Sequence, residues 1–223
     1  MNGKLPTATS VLSVSAHPDD ECFGLGAILY EFVQSGAMTS VLCFTHGEAS
    51  TLKKGEGDLA RIRAKELQEA TSVLQVSKTR LLAYPDGGLA SVPISELANH
   101  IIELSREVKA SLLLTFDEGG VTGHPDHSIV TQATLTAAKE LDLPVLSWTI
   151  PTAIANQLNN ELGTTFVGRN PDDIDVVIKV HRPTQRVAIA HHRSQAIGNK
   201  VLERRLELQG DMEWLRWLYH PTK

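Results

Sequence analysis

The sequence predicts a doubly wound α/β fold, a mostly parallel sheet with helices on both faces. Short apolar runs alternate along the chain with longer amphipathic stretches, the βαβα signature. The runs are nearly continuous, as in Leu112-Leu113-Leu114, which suits strands buried on both faces. Two clusters of ionisable side chains directly follow such runs, where open parallel sheets bind their ligands. The predicted architecture is Rossmann-like, and 223 residues suit one domain spanning residues 1–223.

Residues 11–15, 40–44, 80–83, 112–116 and 145–150 read as strands. Between them, residues 21–34 carry Leu25, Ile28, Leu29 and Phe32 on one helical face. Residues 59–74 repeat the pattern with Leu59, Ile62, Leu67, Ala70 and Leu74. Residues 95–108 and 128–141 complete the helices of the core. Residues 53–57 (KKGEG) read as a polar loop, and 156–173 as an irregular region containing Gly163, Gly168 and Pro171. The alternating stretch 174–180 suits a late edge strand, followed by a helix over 183–195 and a C-terminal tail.

Composition narrows the functional class. A net charge of −5 argues against a broad nucleic-acid-binding surface. No apolar run approaches the ~20 residues of a membrane span. The first ten residues lack the apolar core of a signal peptide. Cys22 and Cys43 cannot form a disulfide framework, so the expected location is the cytoplasm with both thiols reduced. A homo-oligomer is compatible with the sequence.

The first cluster is Ala16-His17-Pro18-Asp19-Asp20-Glu21. His17 and Asp20 are three apart across a turn into a helix, so both can face one metal ion. Helix capping accounts for one acid at such a turn but not for the whole set. The second cluster, Gly119 to His127, follows the run at 112–116 and opens a helix with Pro125 at its first position. It brings His124 and His127 to the same edge of the sheet. His17, Asp20 and His127 make the three N/O ligands of a catalytic zinc site. Asp19 is left as a general base, and His124 to stabilise an oxyanion or protonate a leaving group. Asp126 is placed to hydrogen-bond His124 and raise its basicity. This equipment suits hydrolysis of an amide or ester.

Paired AHPDDE and HPDH segments resemble the PIG-L/LmbE-like zinc-dependent de-N-acetylases. Thr45-His46-Gly47-Glu48, Arg63-x-x-Glu66, Tyr84-Pro85-Asp86-Gly87 and His192-x-Ser194-Gln195 extend the resemblance from Ser13 to Gln195. The resemblance implies the same ligands (His17, Asp20, His127), with Asp19 as base and His124 assisting the tetrahedral intermediate. It implies Arg63 and Asp86 as contacts to sugar hydroxyls, and a small-molecule amino-sugar conjugate, of the N-acetylglucosamine type, as substrate. His46 stands where the family usually has Arg, a change expected to alter the substrate rim. Gln75 stands where a Gly is common, which suggests a helix that ends differently. Zinc is the expected metal, and Fe(II) suits the same donors.

His192 is expected in the substrate pocket or supporting the site. His46 and Glu48 are candidates for the pocket mouth. Cys22 reads as a bystander thiol, because three acids adjoin it. Trp214, Trp217 and Tyr219 read as core or interface aromatics, and Arg204-Arg205 as a solvated helix face. Two alternatives stand beside the deacetylase reading: a thiol-sugar conjugate amidase that cuts a larger acyl group, and a non-catalytic metal-dependent binding protein. A dinucleotide oxidoreductase is disfavoured, since the first strand turn lacks a Gly-rich fingerprint.

Overall fold

The computed structural model describes residues 3–52 and 58–221. The loop expected at 53–57 lies outside them. Seven strands form one sheet: β1 (Ser10–Ser15), β2 (Met38–Thr45), β3 (Lys78–Tyr84), β4 (Leu112–Phe116), β5 (Val145–Thr149), β6 (Val176–Lys179) and β7 (Met212–Tyr219). Their order is β3-β2-β1-β4-β5-β7-β6. The five strands β1 to β5 pair in parallel, and β7 runs antiparallel to both β5 and β6. The order reverses between β1 and β4, whose register aligns Val11 with Leu112. Open α/β sheets place their ligand crevice beyond such a reversal.

Alternating side chains of each strand enter different cores. Val11, Val41, Leu114 and Leu146 face one side with Ile28, Leu29 and Phe32 of α2 (Gly26–Gln34). Leu12, Leu42, Leu113 and Val145 face the other, against α4 (Ile94–Glu107) and α5 (Pro125–Leu141). This is why the runs are apolar throughout: both faces are covered. A third cluster joins α3 (Leu59–Val73) to α7 (Arg182–Ile189) and α9 (Lys200–Gln209).

The elements depart from the sequence reading in four places. The expected helix 21–34 breaks into α1 (Asp20–Phe23) and α2 on either side of Gly24, where a Cβ would sit 2.8 Å from the Phe116 ring. The helix 183–195 likewise splits into α7 and α8 (Arg193–Ala196) around His192. Residues 156–162 of the region read as irregular belong to α6 (Thr152–Leu162), ended by Gly163 in the left-handed region. The tail is α9 plus β7, and β6 holds the predicted edge. Trp217 and Tyr219 of β7 pack against the two sheet cores rather than standing free.

Gln75 corrects the expectation that α3 ends differently. Its N–H bonds Ser72 O, the Val76 N–H bonds Thr71 O, and its φ is +59°. This is the glycine-type C-terminal motif with a glutamine in it. Replacing it with the residue the geometry favours, Gln75→Gly, should stabilise the fold by about 0.5–1 kcal/mol in urea unfolding. A loss of stability would contradict this account of the helix end.

Candidate active site

The site begins where β1 ends. Asp20 heads α1, and its Oδ2 accepts the backbone N–H groups of His17 (2.9 Å) and Ala16 (3.1 Å). That fixes the carboxylate and leaves Oδ1 3.1 Å from His127 Nε2. His17 Nδ1 lies 3.2 Å from the same Nε2 and 3.6 Å from Asp20 Oδ2. Donors of a tetrahedral zinc site are separated by about 3.4 Å, from bond lengths of 2.0–2.2 Å. The three side chains are buried and adjoin one another, and His17, His124 and His127 likewise bring one ring nitrogen each within 4.8 Å of one another.

Each imidazole turns one ring nitrogen toward Asp20. His127 Nδ1 is within hydrogen-bonding distance of Gly120 O (3.1 Å) and Thr122 Oγ1 (2.9 Å), so it carries the proton and leaves Nε2 free. His17 Nε2 faces Asp86 Oδ1 at 3.0 Å and Asp126 Oδ2 at 3.4 Å, leaving Nδ1 free. Carboxylate and carbonyl partners of this kind orient metal-binding histidines. The field of the pocket favours positive charge. Burial opposes a charged His17, but Asp126, Asp20 and Asp86 together raise its pKa well above the ordinary value. Burial likewise opposes a charged Asp20, yet His127 and His17 hold it well below the usual carboxylate range.

Two sequence assignments change here. Asp126 does not bond the His124 ring. Its carboxylate accepts the N–H groups of Gly87 (2.8 Å) and Leu89 (3.3 Å) and faces His17. Its backbone N–H donates instead to His124 Nδ1 at 3.2 Å, the predicted helix cap. That bond leaves Nε2 as the protonated nitrogen of a neutral ring. Burial, His17 and His127 lower the His124 pKa, outweighing Asp126. Asp86 lines the cavity, but its carboxylate is engaged with His17 and the Ala49 N–H rather than left open for a sugar hydroxyl.

Asp19 occupies a strained turn, with φ +128° and ψ −28°. Its carbonyl accepts from Cys22 N–H (2.9 Å) and Phe23 N–H (2.6 Å), and its own N–H donates to Glu21 Oε2 (2.9 Å). Glu21 is fully buried, and its other oxygen meets His192 Nε2 at 2.6 Å. Arg63 completes the clamp: it meets Asp19 Oδ2 at 3.0 Å, donates to Gly47 O at 2.6 Å and bonds Pro18 O. A Cβ at Gly47 would collide with that guanidinium. Burial raises the Asp19 carboxyl to about 6, against the pull of Arg63.

Arg63 and His192 therefore hold Asp19 in place. His192 is fully buried and outside the cavity lining, and the Arg63 NH1 and NH2 groups are committed within the protein. His46 and Glu48 also leave the pocket mouth: His46 Nδ1 faces Ala60 O, and Glu48 accepts the Asp86 N–H. The buried Glu21-Cys22-His192 cluster brings three potential donors together, but burial and then Glu21 push the Cys22 thiol well up, keeping it protonated.

The candidate donors and Asp19 line a cavity of about 620 Å³. Arg205 lines it too and is not a solvated residue: it is buried, stacked over Trp148 at 5.0 Å, with NH2 on Phe23 O. Arg204, one residue away, fits the expected solvated face and pairs with Glu161. Only the packing of α9 against the cavity distinguishes the two arginines.

The profile of the family described as PIG-L: GlcNAc-PI de-N-acetylase matches residues 12–138, a span that includes both histidine clusters. The chain belongs to the PIG-L family. It is 33% identical over 165 residues to a 1D-myo-inositol 2-acetamido-2-deoxy-alpha-D-glucopyranoside deacetylase of Kineococcus radiotolerans, covering 60% of this chain and 46% of that protein. The chain thus spans about half the length of that PIG-L relative. It is 28% identical to a probable N-acetyl-alpha-D-glucosaminyl L-malate deacetylase 2 of Bacillus anthracis, over 93% of this chain and 91% of the other. The crystal structure of the A40926 pseudoaglycone deacetylase Dbv21 shares the fold with a TM-score of 0.71. It is 21% identical and covers 96% of this chain and 99% of that one.

The support given to His17 yields a test that separates metal support from sugar contact. Asp86→Asn should weaken Zn²⁺ binding by roughly 10–100-fold, the usual cost of losing such a partner, measured by competition with a chelating dye. Unchanged affinity with a raised KM would return Asp86 to substrate binding.

Proposed function

We propose that this chain is a zinc-dependent amide hydrolase that removes the N-acetyl group from an N-acetylglucosamine-type amino-sugar conjugate. The observation that carries the reading is a triad of metal donors with a separate, clamped carboxylate beside it. A binding module needs His17, Asp20 and His127 but has no use for a strained, buried Asp19. The two relatives' names, both deacetylases of glucosamine derivatives, support the same chemistry. The N₂O donor set suits zinc and accepts Fe(II).

His17 Nδ1, His127 Nε2 and Asp20 would hold the ion. Bound there, it supplies Lewis acidity, lowering the pKa of water and polarising an amide carbonyl. Asp19, near 6, is ionised at neutral pH and basic enough to take a proton from the attacking water. Its backbone clamp and Arg63 fix where that proton goes. His124, neutral with Nε2–H as its donor, stabilises negative charge on the amide oxygen. It is not held as an imidazolium, so Asp19 is the group that returns the proton to the departing amine.

Acetate release from N-acetylglucosamine conjugates should require a divalent metal and stop with chelator; metal-independent release would defeat the reading. His17→Ala, Asp20→Ala or His127→Ala should lose metal and activity together. Asp19→Asn should keep the metal while turnover falls by roughly 10²–10⁴-fold.

Arg63→Met gives a pH test. Arg63 lowers the Asp19 pKa, so its removal raises it. A base works only when deprotonated, so the acidic limb of kcat/KM should move to higher pH. A limb that stays put, or moves down, would show that Asp19 is not the titrating base.

A further inference from the structure

The orientation of His127 depends on a strained turn. Gly120 O and Thr122 Oγ1 both reach His127 Nδ1, at 3.1 and 2.9 Å. Between them stands Val121, with φ +57°, and the Thr122 N–H closes the turn on Gly120 O at 2.5 Å. A three-residue turn with a positive φ at its centre is rare and strained, and a β-branched residue there makes it more so. Gly119, Gly120 and Gly123 have positive φ as well. Such backbone keeps its shape only where neighbours over-determine it.

The neighbour is the segment 165–169, which follows α6. The Val167 N–H donates to Val121 O at 2.8 Å, and Thr165 Oγ1 donates to Thr122 O at 3.4 Å. A Cβ at Gly123 would lie 2.4 Å from Thr165 Oγ1. Arg169 ties this segment down. Its N–H donates to Ile150 O (2.9 Å), its Nε meets Asp117 Oδ2 (2.5 Å) and its NH2 donates to Glu118 O (3.2 Å). Asp117 is buried directly after β4, and its carbonyl accepts the Gly120 N–H at 2.9 Å. Arg216 of β7 meets the other oxygen, Asp117 Oδ1, at 3.1 Å and reaches the loop at Asp117 and Glu118, ahead of the turn.

We propose that Arg169 is a positioning residue of the metal centre: it ties segment 165–169 to the loop after β4 and, through Val121, sets the turn that aims His127 Nε2 at the ion. The proposal rests on the metal-centre reading above. Arg169 is not among the residues that line the cavity, so its effect has to travel through the turn. Both arginines meet the charge of Asp117, but Arg169 alone of the two belongs to the segment that bonds Val121.

Arg169→Met and Arg216→Met each leave Asp117 one guanidinium, and they are compared in the full chain. Stability is read by urea unfolding of the metal-free protein, and Zn²⁺ affinity by competition with a chelating dye. Both variants should lose stability. Arg169→Met should also weaken Zn²⁺ binding about tenfold, the low end of the cost of disturbing a partner of a metal-binding histidine, while Arg216→Met stays within about twofold. Co²⁺ loaded in place of zinc gives a spectroscopic readout: the visible bands should change in Arg169→Met and not in Arg216→Met. Arg169→Lys keeps the charge beside Asp117 but cannot make both bonds, and should show the same zinc loss in smaller measure.

Unchanged zinc affinity in Arg169→Met, or equal losses in the two methionine variants, would overturn the proposal and leave the metal centre standing. If Arg169→Met does not fold, unchanged affinity in Arg169→Lys overturns it instead. An unaltered protein that binds no zinc would defeat the metal-centre reading and this proposal with it.

Discussion

Everything at this site depends on burying an acid, Asp20, between two imidazoles. A carboxylate in that position is costly unless positive charge meets it. Parallel pairing of β1 with β4 delivers the partner, because it sets the turn after β1 beside the turn after β4 and so brings His127 onto Asp20. The sheet order reverses at that pair. The crevice, the acid and the histidines are consequences of one strand adjacency. The ring nitrogens of His17 and His127 turned toward Asp20 complete a cluster of donors spaced to suit a cation.

Around that centre the protein spends its buried polar groups on orientation. Asp86, Asp126, Thr122 and the Gly120 carbonyl fix the two imidazoles. Arg63, Glu21 and His192 fix Asp19. Asp19 needs the firmest hold, since a non-glycine residue at φ +128° relaxes unless its neighbours over-determine it. Three elements distant in sequence contribute: α3 through Arg63, the α7–α8 break through His192, and the loop after β2 through Gly47. Gln195, Asn199, Val201, Leu202 and Arg205 of the same C-terminal region line the cavity, so that region both secures Asp19 and shapes the cavity wall.

Much of this was legible in the sequence because its signals are local. Continuous apolar runs gave away a sheet covered on both faces, and the two clusters announced themselves by spacing after β1 and β4. The roles of the partners were not legible. Asp126 lies two residues from His124, a spacing that suggests the pair, yet its carboxylate turns to His17, which is 109 positions away in the chain. Asp86, Arg63 and His192 have the chemistry of substrate contacts, and only the fold shows that Asp86 meets His17, that NH1 and NH2 of Arg63 meet Gly47, Pro18 and Asp19, and that His192 Nε2 meets Glu21. Arg204 and Arg205 are identical in type and adjacent, and helix phase alone sends one to solvent and the other under Trp148. Strand β7 carries no comparable signal, because its aromatics lie beyond the βα repeat and the strand pairs antiparallel. The loop at 53–57 falls outside the described residues.

The central claim is that His17, Asp20 and His127, and not the neighbouring clusters, hold one divalent ion while Asp19 and His124 stay off it. Anomalous diffraction at the zinc edge from crystals of the zinc-loaded protein tests this most directly. The account predicts a single strong peak bonded to His17 Nδ1, His127 Nε2 and Asp20, with the Asp19 carboxylate outside the coordination shell and His124 Nδ1 still capping α5. A peak bonded to His124, or one seated among Glu21, Cys22 and His192, would contradict it.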